Sequence, residues 1–205
     1  MSSARKIRAR MEYMQLLQQR DESAEGRLLT ELQSNAADII KAVTLSRAQG
    51  LFALQAWEIL ETALASVSRT RDRLRDVLPQ ESQPLQSVLP GIYQRATCDV
   101  EECVLAVQRQ AAQADLDPEV VNAMCLRVLL GELMSFAACV VQEAQMLTKP
   151  GTNRVWYGSE LFKRCIRVAV ISDVIRQRMV QLRDAGAEIV QPTRRTRKLR
   201  EFTWE

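Results

Sequence analysis

The sequence predicts an all-α protein, a helical bundle of about six helices with a long antiparallel C-terminal helical hairpin. The 205-residue chain has only seven glycines and six prolines, and aromatic residues make up 5% of it. Sandwiches and barrels of β-strands need more turn residues and more aromatics than this. Apolar residues recur at helical spacing in six segments, and no segment alternates convincingly as a strand does. A chain of this length forms one domain, or two tightly packed helical halves.

Residues 1–78 are predicted to form an N-terminal helical half with three amphipathic helices. In the first helix, apolar side chains recur three or four positions apart, from Ile7 to Leu17, and so lie on one face. Gly50 follows the second helix and Pro79 follows the third, and both residue types are common beyond helix ends. The predicted helices cover residues 4–21, 24–48 and 51–78.

Residues 79–91 are predicted to be a proline-rich connector between the two halves. Pro79, Pro84 and Pro90 lie within twelve residues, and Gly91 follows them. Proline has no backbone N–H to donate within a helix, and its ring clashes with the preceding turn. The connector is therefore the main candidate boundary within the chain.

Residues 92–186 are predicted to form the C-terminal half, which contains the long hairpin. Its helices are expected at residues 92–114, 117–148 and 159–185. Asp117 is a typical N-cap with proline next to it, and Ser159 is the N-cap expected for the last helix. The helix after Asp117 is apolar on almost every side. That pattern suits either a central core helix or an interface between subunits, and the sequence alone leaves both open.

The absence of histidine from the sequence excludes several kinds of active site. Ser-His-Asp and Cys-His nucleophiles, histidine-ligated zinc and HExxH metalloproteases all need that side chain. No glycine-rich phosphate loop and no GxSxG motif occurs in the sequence. We therefore expect no catalytic residues, no cofactor and no metal, and a protein that is not an enzyme.

Acidic side chains in apolar helices are the one pattern that suggests metal chemistry. Glu132 and Asp173 would have to converge with Glu101 or Glu102 to hold a divalent cation. The alternative is that each pairs with a cation close by, as Asp173 would with Arg176 three residues further along the same face. The spacings of known carboxylate metal sites are absent from the sequence, so ion pairing is the prediction.

The five cysteines predict a reducing compartment. Their number is odd, no CxxC pair occurs, and four of them lie in apolar stretches. No apolar segment follows the basic N-terminus, and the most apolar stretch, 128–141, is shorter than the ~20 residues of a membrane span. We therefore expect a cytoplasmic or nuclear protein without a transmembrane segment.

Basic residues are concentrated at the two ends of the chain. Residues 1–10 carry a charge of +4 and residues 192–205 a charge of +3, whereas residues 11–191 total −4. Basic ends on a mildly acidic body suit electrostatic binding of nucleic acid, although charged ends also serve solubility. A further basic cluster lies early in the last predicted helix. The candidate nucleic-acid-binding residues are Arg5, Lys6, Arg8, Arg10, Lys163, Arg164, Arg167, Arg194, Arg195, Arg197, Lys198 and Arg200.

Two groups of aromatic residues are candidates for binding a partner. Arg154, Trp156 and Tyr157 fall at the predicted tip of the hairpin, where they would either bind a partner or cap the ends of the helices. Phe202 and Trp204 lie in the basic and aromatic tail, 187–205, which is expected to be unstructured or docked.

These patterns favour a non-enzymatic helical protein that self-associates through the helices near residues 118–148 and 159–185. Its basic ends would bind nucleic acid, with RNA preferred, as in a nucleoprotein or capsid-like assembly unit. The alternative hypothesis is a helical adaptor or scaffold subunit of a multiprotein complex, in which the exposed aromatics bind other proteins.

Overall fold

The computed structural model describes residues 10–12, 14–15, 23–49, 54–77 and 83–184. These residues form helices joined by short connections, and no strand occurs among them. The prediction of an all-α helical bundle is confirmed. Residues 10–12 and 14–15 are helical, and the rest of the predicted helix 4–21 lies outside the described residues. The five long helices are α1 (Ala24–Gln49), α2 (Leu54–Val77), α3 (Gln83–Gln113), α4 (Pro118–Thr148) and α5 (Arg154–Asp184).

Four of the helices enclose the core, and the fifth covers one side of it. Helices α1, α2, α5 and α4 each pack against the next in a closed ring, and α3 packs on the outside against α4 and α5. Short contacts join α4 to α5 at both ends: Arg164 donates to Glu143, and Arg178 donates to Asn122. One continuous cluster of buried apolar side chains draws on all five helices.

Helix α4 has more fully buried residues than any other described helix of this core. Leu133, Ala137 and Val140 have no exposed surface, because α1, α3 and α5 all pack against this helix. Packing within the chain therefore explains part of its near-continuous apolar sequence. The nine buried residues of α4 are Cys125, Leu126, Leu129, Leu130, Leu133, Ala137, Val140, Ala144 and Leu147.

Among the described helices, α4 is also long and apolar enough to cross a membrane, judged by length and composition. About two fifths of its most apolar window, 39%, is buried inside the bundle. The core helix of a soluble protein passes the same test, so this property is weak evidence for a membrane span.

The N-terminus of α4 has the cap that the sequence predicts. The Asp117 carboxylate accepts a hydrogen bond from the backbone N–H of Glu119 at 3.1 Å, and Pro118 is the first helical residue. A second cap precedes α1, where the Ser23 hydroxyl accepts from the N–H of Gly26 at 2.9 Å. Both caps satisfy a backbone donor that has no partner within its helix.

The expectation that the helix after the connector begins at Ile92 is wrong. Helix α3 begins at Gln83, so residues 83–91 of the predicted connector are helical, and residues 79–82 lie outside the described chain. Pro84 falls in the first turn, where a missing N–H costs nothing. Pro90 lies inside the helix. There it removes one hydrogen bond, which the packing of the following turns against α4 and α5 offsets.

The expected start of the last helix at Ser159 is also wrong. Helix α5 begins at Arg154, because Asn153 rather than Ser159 caps it. The Asn153 side chain accepts from the N–H of Trp156 at 3.1 Å, and its carbonyl accepts from the N–H of Tyr157. Asn is as good an N-cap as Ser, and this one stands directly after the turn at Pro150 and Gly151.

Candidate nucleic-acid interface

An open groove lies where α3, α4 and α5 meet, with a volume of about 660 Å³. Its size is in the range of sites that hold small ligands. Charged side chains from α3 and α5 form its walls, and the aromatic ring of Phe136 on α4 contributes to its lining. The groove is lined by Gly91, Ile92, Arg95, Ala96, Asp99, Phe136, Glu160, Lys163, Arg164 and Arg167.

Arg167 ties α5 to α3 at the base of the groove. One nitrogen of its guanidinium donates to the Asp99 carboxylate at 2.7 Å and to the Ala96 carbonyl at 3.0 Å. Only 12% of the Arg167 side chain is exposed, and its buried Nε has no hydrogen-bond partner in the described part of the chain. Arg167 is therefore held by the fold, and it contributes positive charge to the groove without being free to move.

Lys163 and Arg164, next to each other on α5, share acidic partners. Lys163 lies 2.6 Å from a Glu160 oxygen, one helical turn away. Arg164 lies 3.4 Å from Glu143 on α4 and 3.8 Å from the second Glu160 oxygen. The two carboxylates thus hold both cations along one edge of the groove, and Lys163 remains exposed there.

Glu143 is the most buried of these carboxylates, with 13% of its side chain exposed. Burial raises the pKa of Glu143, and the neighbouring Arg164 only partly opposes the shift. Its oxygen Oε2 is buried and has no hydrogen-bond partner among the residues that the structure describes. An ionised Glu143 is therefore poorly solvated, because one of its two oxygens has lost water without gaining a donor.

Phe136 provides an apolar surface beneath two of the cations. The guanidinium carbons of Arg164 and Arg167 lie 5.6 and 5.2 Å from the centre of its ring. Both distances fall within the range of cation–π attraction. Together with Ile92, this ring makes the groove part apolar and part cationic.

Arg95 is the one basic residue of the groove lining that forms no ion pair with the groove's described acidic residues. It lies exposed on the α3 wall, and it has no ion pair among the described residues. Four basic side chains line the groove, against the carboxylates of Asp99 and Glu160 in the lining and Glu143 beside it. The groove therefore carries a net positive charge when all these groups are ionised.

The structure brings together three of the predicted nucleic-acid-binding residues. Lys163, Arg164 and Arg167 lie along one groove, although each also has an acidic partner. Arg10 is exposed on a helical segment. The remaining candidates lie outside the described residues: Arg5, Lys6, Arg8, Arg194, Arg195, Arg197, Lys198 and Arg200.

Three of the predicted partner-binding residues lie in the first turns of α5 and not at the tip of a turn: Arg154, Trp156 and Tyr157. Arg154 forms an ion pair with Glu25 near the start of α1, so it joins two helix ends. Trp156 is 54% exposed and meets the half-buried Tyr157 edge to face, with ring centres 4.6 Å apart. Phe202 and Trp204 lie outside the described residues.

The ion-pair prediction for Asp173 is confirmed. Its carboxylate lies 3.3 Å from Arg176, and the pair is on the surface rather than in the apolar interior. No group of three metal-ligating side chains occurs in the described part of the chain. Glu101 and Glu102 are exposed on α3, while Glu132 is half-buried on α4.

All five cysteines are free thiols, and they fall in different environments. Cys125 and Cys165 are buried, as expected for small apolar core residues, and burial raises the pKa of Cys165 to about 12. Cys103 and Cys139 are half-buried, and Cys98 is exposed. A thiol as hard to ionise as Cys165 is unsuited to nucleophilic chemistry.

Sequence reasoning missed four residues that shape the groove: Arg95, Phe136, Glu143 and Glu160. Asp99 stands four residues after Arg95, and Glu160 three before Lys163, spacings that place each pair on one helix face. These spacings are the features of the sequence from which Arg95 and Glu160 could have been identified. The approach of Phe136 to two arginines on another helix depends on tertiary packing and has no local signal.

Comparison of the chain with protein-family models, with curated proteins and with solved structures finds no match. The fold and the groove together define a helical bundle protein with a partly apolar, net positive surface site.

Proposed function

We propose that this protein is a non-enzymatic nucleic-acid-binding protein that self-associates and prefers RNA, as the assembly unit of a nucleoprotein. The observation that carries the proposal is the groove, in which Arg95, Lys163, Arg164 and Arg167 converge from two helices. Basic side chains grouped around an apolar floor suit a ligand that combines phosphates with flat aromatic bases.

The basic ends of the chain supply the larger share of the proposed electrostatic attraction. Residues 1–10 carry +4 and residues 192–205 carry +3, while the groove cations are partly neutralised by Asp99, Glu143 and Glu160. Phosphate contacts of this kind release bound counterions and are largely independent of sequence. The ends therefore provide affinity in this proposal, and the groove provides a defined point of contact.

The role of α4 in self-association is limited by the nine of its residues that are already buried within the chain. Apolar side chains that remain exposed include Leu105 on α3, Val128 on α4 and Val180 on α5. In an oligomer, several basic ends would act on one nucleic-acid strand, which raises the overall affinity without any new contact.

Fluorescence anisotropy with a labelled oligouridylate tests the proposal on the full-length chain. The triple variant Arg194→Gln, Arg195→Gln and Arg197→Gln should weaken binding by about tenfold or more, since three phosphate contacts are lost.

The matched control removes the same charge from exposed positions elsewhere in the protein. It carries Arg27→Gln, Lys41→Gln and Arg109→Gln, all on exposed helix surface outside the groove. This control should weaken binding by no more than about threefold, as expected for a change in overall charge alone. Equal loss in the two variants, or no binding by the wild type, would contradict the proposal. Light scattering on the same samples should show a mass above that of one chain.

The second candidate function, a helical adaptor, is favoured by one specific surface. Val155 and Trp156 are 58% and 54% exposed in the first turn of α5. Exposed Trp residues often anchor protein–protein interfaces. Under this hypothesis, nuclease-treated full-length protein recovers a defined protein, and Trp156→Ala loses it while Arg95→Glu retains it. The nucleic-acid hypothesis predicts that nuclease removes whatever co-purifies.

A further inference from the structure

The groove between α3, α4 and α5 has opposite walls that differ in how firmly their cations are held. On the α3 wall, Arg95 is exposed and has no ion pair among the described residues. On the α5 wall, Lys163 is exposed and bound to Glu160 by one surface ion pair. Such a pair contributes little and is readily exchanged for a stronger anion. Arg164 and Arg167, in contrast, stay anchored by Glu143 and Asp99.

The floor of the groove suits a part of the ligand that is flat and apolar. Ile92 and Phe136 line it, and the guanidinium groups of Arg164 and Arg167 lie over the Phe136 ring. Aromatic rings and guanidinium planes are the surfaces on which unpaired bases stack in proteins that bind single strands. In a duplex the bases are stacked on one another and are not available for such a contact.

Acidic residues in the same lining count against a duplex. Asp99 and Glu160 lie among the cations, so the groove offers positive charge at a few points only. A duplex carries one negative charge about every 1.7 Å of its axis, a density that a few separated cations do not match. A single strand can place one phosphate between the walls and turn its neighbours away.

From these contacts we infer that the groove is a nucleotide subsite for single-stranded nucleic acid. One phosphate binds between Arg95 and Lys163, and the adjoining unpaired base lies against Ile92 and the guanidinium planes of Arg164 and Arg167 that cover the Phe136 ring. This inference rests on the proposed nucleic-acid-binding function and specifies the form of ligand that the groove accepts.

Arg95→Glu in the full-length chain tests the subsite, with Arg109→Glu as the matched control. Both arginines are exposed on α3, and Arg109 lies 14 residues further along the helix, outside the groove. Each change alters the net charge of the protein equally. The probes are a labelled single-stranded oligouridylate and an RNA duplex of the same length, measured by anisotropy.

The expected result is that Arg95→Glu weakens single-strand binding by about tenfold or more, and Arg109→Glu by no more than about threefold. The two variants should affect the duplex equally. Equal losses on the single strand, or a selective effect of Arg95→Glu on the duplex, would overturn the subsite while leaving the proposed function standing. A wild-type protein that binds neither probe would overturn the proposed function and the subsite together.

Discussion

The polar contact between α1 and α2 and the groove between α3, α4 and α5 use similar residues. They differ in whether charged groups and space remain for a ligand. Between α1 and α2, the Thr70 hydroxyl donates to Glu31 at 3.1 Å and accepts from Asn35 at 3.3 Å, while Arg73 bonds the other Glu31 oxygen at 3.0 Å. Thr70 is fully buried. In this contact the single cation, Arg73, is paired with the single carboxylate, Glu31, and the Thr70 hydroxyl bonds both Glu31 and Asn35.

The groove between α3, α4 and α5 begins from the same kind of pairing but does not close. Arg167 bonds Asp99 much as Arg73 bonds Glu31. Among the described residues, however, Arg95 has no ion pair, and a volume of about 660 Å³ stays open beside it. A balanced contact only joins helices, whereas surplus charge around an open volume has the capacity to bind an anion. Substitutions at the two contacts should therefore differ in their effects.

Arg167→Ala and Arg73→Ala should have very different effects on stability. Arg167 is 12% exposed and makes two bonds to another helix, so its loss should lower the free energy of unfolding by about 2 to 3 kcal/mol. Arg73 is 62% exposed, and its loss should cost less than about 0.5 kcal/mol. Urea denaturation followed by circular dichroism measures both. Equal losses would show that burial does not distinguish the two ion pairs.

Thr70→Val should destabilise the α1–α2 contact by about 1 to 2 kcal/mol. Valine has the same shape as threonine but no hydroxyl, so Asn35 and Glu31 lose their hydrogen bonds to this buried residue. Thr44→Val is the control. The Thr70 and Thr44 hydroxyls both lie 2.8 Å from the carbonyl one turn earlier, that of Ser66 and that of Ile40, but Thr44 is exposed to water. Its change should stay within about 0.5 kcal/mol of the wild type in thermal unfolding. A Thr70 variant as stable as this control would contradict the described network.

Gly91→Ala should stabilise the protein by about 0.5 to 1 kcal/mol, since glycine weakens a helix relative to alanine and a Cβ there meets nothing within 4 Å. Gly131→Ala in α4 is the comparison, where the added Cβ would lie 3.4 Å from the Arg47 side chain. A smaller gain is expected there. A lower melting temperature for Gly91→Ala would show that this part of α3 is not a regular helix.

Glu143→Gln should stabilise the protein at neutral pH. Because the pKa of Glu143 is raised in the folded state, the native protein binds a proton more tightly than the unfolded chain does. Wild-type stability attributable to this group therefore falls as pH rises from the unfolded pKa through the folded pKa. Melting temperatures of the two proteins should converge at acidic pH and separate at neutral pH, with the variant higher. A variant that melts lower at neutral pH would show that the bond to Arg164 outweighs the cost of burial.

The helices could be predicted from the sequence where their signals are local. Asp117 and Pro118 mark the start of α4 correctly, because a cap and a first-turn proline act on their own backbone. The start of α3 was misplaced because proline is tolerated in the first turn, where Pro84 lies, and because packing of the following turns offsets the bond lost at Pro90. The start of α5 was misplaced because Asn153 and Ser159 are equally good caps by type.

The candidate site could be predicted only in part. Lys163, Arg164 and Arg167 stand out as a basic run in the sequence. Their acidic partners Asp99 and Glu143 come from other helices, so the charge balance of the groove depends on how α3 and α4 pack. Sequence periodicity fixes which face of a helix is apolar, but it does not fix which two faces meet.

The salt dependence of oligonucleotide binding by the full-length protein shows whether the basic side chains of the ends and the groove bind phosphates. The logarithm of the affinity for a labelled oligouridylate should fall linearly with the logarithm of the salt concentration between about 50 and 200 mM. The slope should be about −0.7 for each phosphate contact. Arg95→Glu should reduce that slope, and Arg109→Glu should leave it unchanged. Absence of binding at low salt, or an affinity that does not change with salt, would contradict a function based on these cations.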